Sequence, residues 1–311
     1  MRIVFMGTPE AAVPSLARLV EEGHEIVAVW TQPDKPAGRG DKMHSPPIKD
    51  FALKHNLKVE QPQKIKTEQA KELFQSCNAD LAVVVAYGRI LPPEFFRAPR
   101  RGCINVHFSL LPSYRGAAPA NWAIVNGEAK TGVTTMFIEQ ELDAGPILLQ
   151  HETPIGETET APELMQRLAV IGADLLSETL AQLDVLTPRP QRDEAATFAP
   201  ILTKQDGLID WSRDAAAIAR HVRGLQPWPN AYTHYKSHRL IVWQAGVTEN
   251  PAVGSPVGEV LVARGDDLIV QCGDQTALRL IEVQPEAKRR LAVRDFLNGT
   301  HLKVGDRFGE V

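Results

Sequence analysis

The sequence predicts an α/β protein: a Rossmann-like domain on a mainly parallel sheet, followed by a smaller β-barrel domain. Three observations predict it. The first half of the chain alternates short, β-branched apolar runs with helix-spaced patterns, which is how parallel strands and crossover helices are written. After residue 184 the texture becomes Pro-rich, polar and aperiodic. Beyond that stretch, strand-like runs follow one another at short spacing with turn residues between them.

Taken in order, "RIVFMG" is a buried strand closed by Gly7. Pro9 sits where a helix can begin, and Leu16, Leu19 and Val20 keep helical spacing. "EIVAVWT" and "GCINVHFS" are further strands, and "LAVVVAYG" between them is a β-branched apolar run of the kind covered on both faces. "TGVTTMFIEQELDAGPILLQHETPI" reads as two strands around the turn signal Asp143-Ala144-Gly145-Pro146. Residues 160–184 form an amphipathic helix with Leu164, Leu168, Ile171, Leu175 and Leu176 on one stripe. The expected division is a first domain over 1–189, a linker over 190–205 and a second domain over 206–311. In the second domain Ser212 can cap a helix that Gly224 ends. The barrel strands are "AYTHYKS", "RLIVWQAGV", "GEVLVARG", "DLIVQC" and "ALRLIEV", and Arg294–Leu297 make a last short helix.

The chain has 311 residues, enough for one large or two ordinary domains. A formal net charge of -4 argues against a strongly basic nucleic-acid binder but leaves room for a local basic patch. Cys77, Cys103 and Cys272 lie far apart with no C-x-x-C pair, which points away from a disulfide framework or a zinc site and toward a reducing compartment. No apolar run reaches membrane-spanning length, and the N-terminal run is too short for a signal peptide. The glycine fingerprint of dinucleotide binding is missing, since "MGTPEAAV" lacks its second and third glycines.

Chemistry enters at "INVHFSLLPSYRG". Residues two apart on a strand point the same way, so Asn105 and His107 share one face at the strand's carboxyl end. An amide can donate to a developing oxyanion and an imidazole can handle a proton. The other reading is a pair of satisfied polar groups in the core. Asp143 is either ordinary turn chemistry or a carboxylate delivered to the same rim. Ser109, Leu110, Leu111 and Pro112 either cap the core or line a slot for a flat ring. Tyr114, Arg115 and Gly116 read as a polyanion contact, or Arg115 as a solvated rim charge. Gly88 permits close approach to the backbone ahead of Arg89, Ile90 and Leu91, or simply turns the chain into a helix. The polar loop 32–47 carries Lys35, Arg39 and Lys42, which either order on a phosphate backbone or stay a surface loop. Lys288, Arg289 and Arg290 are the compact basic cluster of the second half and are read as an RNA contact.

Taken together, "TQPDKPAGRG", "AYGRILP", "NVHFSLLPSYRGAAP", "ELDAGPIL", "DGLIDW" and "RGLQPWPNAYT" resemble the formyltransferases that use 10-formyltetrahydrofolate, nearly end to end. Within that family the "PDKPAGRG" loop and the "RGLQPWPNAYT" segment are most similar to the members whose acceptor is methionyl initiator tRNA. The resemblance implies catalysis by Asn105, His107 and Asp143, with folate contacts at Ser109–Pro112 and around Arg89–Leu91. It implies that the loop bearing Lys35, Arg39 and Lys42 enters the tRNA acceptor arm, and that the second domain is an open, OB-like barrel lying along the same RNA. It implies 10-formyltetrahydrofolate as co-substrate, no metal and no membrane partner. A cytoplasmic monomer is the expected form. The alternatives are the same chemistry on a sugar-nucleotide or purine-precursor amine, or a non-catalytic RNA-binding protein.

Overall fold

The computed structural model describes residues 1–37, 42–248 and 254–309. The chain forms two compact units. One comprises Met1–Pro119, Lys130–Pro154 and Met165–Pro200; the other comprises Ala120–Ala129, Ile155–Leu164 and Ile201–Val311.

The first unit contains β1 (Arg2–Gly7), β2 (Glu25–Trp30), β3 (Lys35–Ala37), β4 (Lys42–His44), β5 (Val59–Glu60), β6 (Leu81–Val85), β7 (Cys103–His107), β8 (Arg115–Gly116), β9 (Lys130–Phe137), β10 (Ile147–Pro154) and β11 (Phe198–Ala199). Its seven-stranded sheet runs β10-β9-β7-β6-β1-β2-β5. The pairings among β5, β2, β1, β6 and β7 are parallel, whereas β9 is antiparallel to both β7 and β10. All five residues of β6 are buried, as the unalternating "LAVVV" predicts for a strand covered on both faces. Beside it, Trp30, Phe74 and Phe95 pack edge-on and tilted with centroids 4.6–5.7 Å apart. From β1 the chain winds outward to β5 and returns to pair β6 on the other side of β1. The carboxyl ends of β1 and β6 therefore flank the switch point, where sheets of this kind bind ligands. His107 ends the next strand over, β7.

Two expectations change. The polar loop after β2 is partly regular: β3 and β4 form a hairpin with Lys35 opposite His44, because pairing gives backbone groups in a polar segment their partners. The segment 190–205, expected as a linker, sends β11 to pair in parallel with β8.

The second unit contains β12 (Ala231–Tyr235), β13 (His238–Thr248), β14 (Val260–Arg264), β15 (Asp267–Gln271), β16 (Ala277–Pro285) and β17 (Leu291–Ala292). They form one antiparallel sheet, β12-β13-β16-β15-β14 with β17 on β16, and among the described residues no pairing joins β12 to β14. The helix Ala215–Gly224 lays Ile218 and Val222 on its core with Trp211, Val242 and Leu280. Its N-cap is Asp214, whose carboxylate accepts from Ala217 N–H at 2.8 Å; Ser212 donates to Asp210 instead. Asn121 and Glu159 reach the same helix, through Gly224 C=O at 2.7 Å and Arg223 at 2.5 Å respectively.

Candidate active site

Three side chains converge at the carboxyl rim of the first unit's sheet. β7 is held between parallel β6 and antiparallel β9, so its direction is fixed from both sides. Asn105 is half-buried on it, and among the described residues its side-chain amide makes no hydrogen bond, which leaves its N–H donors available. His107, two residues on, is 6% exposed. Its Nε2 lies 3.0 Å from the Tyr114 carbonyl, an acceptor, so Nε2 carries the hydrogen. Its Nδ1 is 3.7 Å from Asp143 Oδ2, within ion-pair range but longer than a hydrogen bond.

Asp143 arrives from the turn between β9 and β10 with a left-handed backbone, φ +52°. Asp tolerates that region better than most residues. Its Oδ2 accepts from Gly116 N–H at 2.9 Å. Gly116 is glycine for a geometric reason: at φ +127° an added Cβ would sit 2.4 Å from the Ala199 carbonyl oxygen. Arg115, read from sequence as a polyanion contact or a rim charge, is neither. It is 5% exposed and held by Gln191 Oε1, at 2.9 and 3.1 Å, and by Asp193 at 2.8 Å. Gln191 Nε2 in turn donates to the carbonyls of Asp143 and Gly145, each at 2.8 Å.

The loop after His107 is pinned from beneath. Thr134 Oγ1 donates to Ser109 C=O at 2.7 Å and accepts from Leu111 N–H at 3.1 Å. Gln150 Nε2 donates to Leu111 C=O at 2.8 Å and to Thr134 Oγ1 at 3.0 Å. Ser109 is buried and donates to Ser113 C=O. The Leu111 side chain packs with Met136 and Ile147, so it faces the core, while Leu110 and Pro112 are partly exposed. Across the switch point, Thr8 Oγ1 and Gln32 Nε2 both donate to Tyr87 C=O, at 2.9 and 3.1 Å. Gly88 follows at φ +78°, where a Cβ would meet Gln32 Nε2 at 2.3 Å. Arg89 donates to Pro62 C=O at 2.9 Å, Ile90 is 67% exposed and Leu91 is buried.

Lys35 is exposed on β3 and donates to Gln32 Oε1 at 2.8 Å. Lys42 belongs to the backbone of β4, and Arg39 lies outside the described residues. In the second unit Lys288, Arg289 and Arg290 are exposed together, but Arg290 pairs with Glu282 and its guanidinium sits 4.7 Å from the Trp243 ring centroid. Among the described residues no group of His, Cys, Asp or Glu is arranged to hold a metal ion.

The model of the "Formyl transferase" family matches residues 1–180, and that of "Formyl transferase, C-terminal domain" matches 201–301. The chain belongs to the formyl transferase family. A methionyl-tRNA formyltransferase of Caldanaerobacter subterraneus subsp. tengcongensis is 49% identical over 98% of this chain and 99% of its own length. One of Citrifermentans bemidjiense is 47% identical over 100% and 97%. Among solved structures, the sugar 3N-formyl transferase WlaRD shares the fold at TM-score 0.68 and 19% identity, covering 93% of this chain and 99% of its own. HypX from Aquifex aeolicus, solved with tetrahydrofolic acid, matches at TM-score 0.64 and 18% identity, over 96% of this chain and 47% of its own.

Within this formyl transferase, sequence reasoning missed Gln191, Thr134 and Gln150, and read Tyr114 only as a polyanion contact. Gln191 sits in an aperiodic Pro-rich stretch with no local signal. Tyr114 contributes a carbonyl, which any residue carries. Thr134 lies buried on β9, where a polar side chain at a buried strand position was the available cue, and Gln150 lies partly exposed on β10 with no such signal.

Proposed function

We propose that this formyl transferase moves the formyl group of 10-formyltetrahydrofolate to the amino group of methionyl initiator tRNA. The observation that carries the reading is full-length identity of 43–49% to relatives named methionyl-tRNA formyltransferase. Sugar-directed relatives of known structure lie at 17–20%, a likeness of fold alone. A non-catalytic role leaves the amide, imidazole and carboxylate at the rim without a purpose.

10-Formyltetrahydrofolate supplies the formyl carbon on N10 and takes up a proton there when that bond breaks. The residues present fit it: Asn105 has an amide with no partner among the described residues, Gly88 and Ile90 are exposed at the switch point, and Leu110 and Pro112 border the same rim. In this reading Ser109–Pro112 and Arg89–Leu91 hold the pterin side. Leu111 acts by bracing the loop, since its own side chain and backbone are already engaged.

Asn105 donates to the formyl oxygen as negative charge builds on it, and it costs little reorganisation because β7 holds it in place. The methionyl amine has an ordinary pKa of about 7.7–8.0, so a neutral, nucleophilic fraction exists at physiological pH. The proton it sheds on attack passes to Asp143. Oδ2 already accepts from Gly116, which leaves Oδ1 for this step. His107, held by Tyr114 through Nε2–H, steadies that carboxylate when its Nδ1 is also protonated, and Asp143 hands the proton taken from the amine on to the leaving nitrogen. No proton is consumed overall.

Catalysis is assigned to residues 1–189 and RNA binding to 206–311, with 190–205 between them. The segment bearing Lys35, Arg39 and Lys42 enters the acceptor arm, and Lys288, Arg289 and Arg290 touch RNA phosphates. The protein works as a monomer in the cytoplasm, where translation starts. Among the described residues no helix is long and apolar enough to cross a membrane. The test is direct: incubate the protein with charged initiator tRNA and 10-formyltetrahydrofolate and assay N-formylmethionyl-tRNA. Formylation of an amino sugar nucleotide with methionyl-tRNA left untouched would refute the reading.

A further inference from the structure

We propose that Gln191 is a positioning residue for the transfer: its amide sets the Asp143 turn, and so the carboxylate, against His107. The inference rests on the formyl-transfer reading above.

Asp143 has two tethers, and both begin at the dipeptide Arg115–Gly116. The Gly116 N–H holds its carboxylate directly. The Arg115 guanidinium holds Gln191 Oε1, and Gln191 Nε2 holds the backbone carbonyls of Asp143 and Gly145. The side-chain orientation is unambiguous, since only the NH₂ end can donate to two carbonyls and only the oxygen can accept from a guanidinium. Arg115 is itself fixed: it is 5% exposed, its N–H donates to Thr197 C=O at 2.8 Å, and Asp193 takes a further guanidinium hydrogen. The same loop reaches His107 through the Tyr114 carbonyl. One rigid segment thus carries the acceptor for His107 and both tethers of Asp143.

The turn needs such a tether. Asp143 adopts a left-handed backbone, which Asp tolerates better than most residues but still at a cost that surrounding contacts offset. Its carboxylate stands 3.7 Å from His107 Nδ1, a gap that a shift of a few tenths of an ångström closes or opens. Gln191 touches neither reacting group, so its influence on the reaction passes through Asp143.

The test compares Gln191→Leu with wild type. kcat for methionyl-tRNA should fall about 10- to 100-fold, the scale expected for misplacing a catalytic group by up to about 1 Å, with both KM values within about twofold. Gln191→Glu keeps the length and the Arg115 contact but cannot donate to the two carbonyls at neutral pH. It should lose kcat similarly, and it stands in if the leucine variant misfolds. In an Asp143→Asn background, Gln191→Leu should add less than about a twofold loss, because the group it positions has lost its charge. Equal losses in both backgrounds would mark a merely structural role and overturn the proposal. Hydrogen exchange of the Gly116 amide is read on the protein alone. It should speed up in Gln191→Leu while the Leu111 amide, held by Thr134, stays as in wild type; an unchanged Gly116 rate overturns the proposal whatever the acceptor proves to be. If wild type fails to formylate methionyl-tRNA, the functional reading falls and the exchange result still decides the role of Gln191.

Discussion

Asn105 carries an amide and no charge, so the part proposed for it in the reaction is confined to hydrogen bonding. Its neighbour on the same face, His107, is buried and engaged by Tyr114, whereas Asn105 is bonded to nothing among the described residues. A polar group left without partners on an ordered strand does not help the fold. Asn105→Ala should therefore leave the melting temperature nearly unchanged while kcat falls about 100- to 1,000-fold, the usual loss for one oxyanion donor. Equilibrium binding of the folate should persist; a parallel collapse of folate affinity and kcat would show that the amide binds ground state and transition state alike. At this scale the sequence reveals residue types but not their circumstances. Strand periodicity puts Asn105 and His107 on one face and a turn signal marks Asp143, but it is the resemblance to the formyltransferases that singles out the three together. Arg115 is not legible, because a charged residue beside a tyrosine and a glycine reads as surface. Its burial depends on Gln191 and Asp193, more than 70 residues along the chain.

The loop between β7 and β8 shows what strands contribute beyond carrying a side chain. β9 and β10 each send one polar side chain, Thr134 and Gln150, under residues 109–111, and together they satisfy the carbonyls of Ser109 and Leu111 and the N–H of Leu111. Thr134→Val keeps the shape and removes the hydroxyl. It should cost about 1–3 kcal/mol from the buried groups it orphans, and it should raise KM for the folate more than it lowers kcat, since the reacting trio is untouched. Steady-state kinetics and a denaturant melt measure the two effects. The helix Ala215–Gly224 gives a prediction in pH. Burial holds the His221 imidazole below its usual pKa of 6.5, so the folded state resists a proton that the unfolded chain accepts. Stability from this group is fully present above about pH 6.5 and drains away as the pH falls through the lower, folded value. Wild type should thus lose more melting temperature between pH 7.5 and 5.5 than His221→Leu does. Elements such as this helix were legible from apolar spacing, but its cap was not. Ser212 and Asp214 both cap well and stand two apart, and the choice is made by Asp210, which engages the Ser212 hydroxyl and leaves Asp214 to accept from Ala217.

For the whole molecule the question is how a chain of net charge -4 handles a polyanion. Attraction at long range depends on the sum of charges, whereas contact depends on a few cations placed against phosphates. The longer strands and the main helices could be read from the sequence because they follow from periodicity and turn residues, whereas the short strands β3, β4, β5, β8 and β11 and the sheet order could not. The disposition of charge could not, because a basic run does not show which of its members are already paired. In the cluster 288–290, Arg290 is neutralised by Glu282 and stacked on Trp243, which leaves Lys288 and Arg289 as the cations open to an RNA backbone. Lys288→Ala with Arg289→Ala should raise KM for methionyl-tRNA and reduce the slope of log affinity against log salt by about 1 for each phosphate contact removed. The KM for 10-formyltetrahydrofolate should stay at the wild-type value, because no residue placed at the folate rim is altered. Arg290→Ala, by contrast, should change the salt slope little and act through the lost Trp243 and Glu282 contacts. A salt slope that moves with Arg290 and not with the other pair would reverse the assignment and place the phosphate contact on the stacked guanidinium.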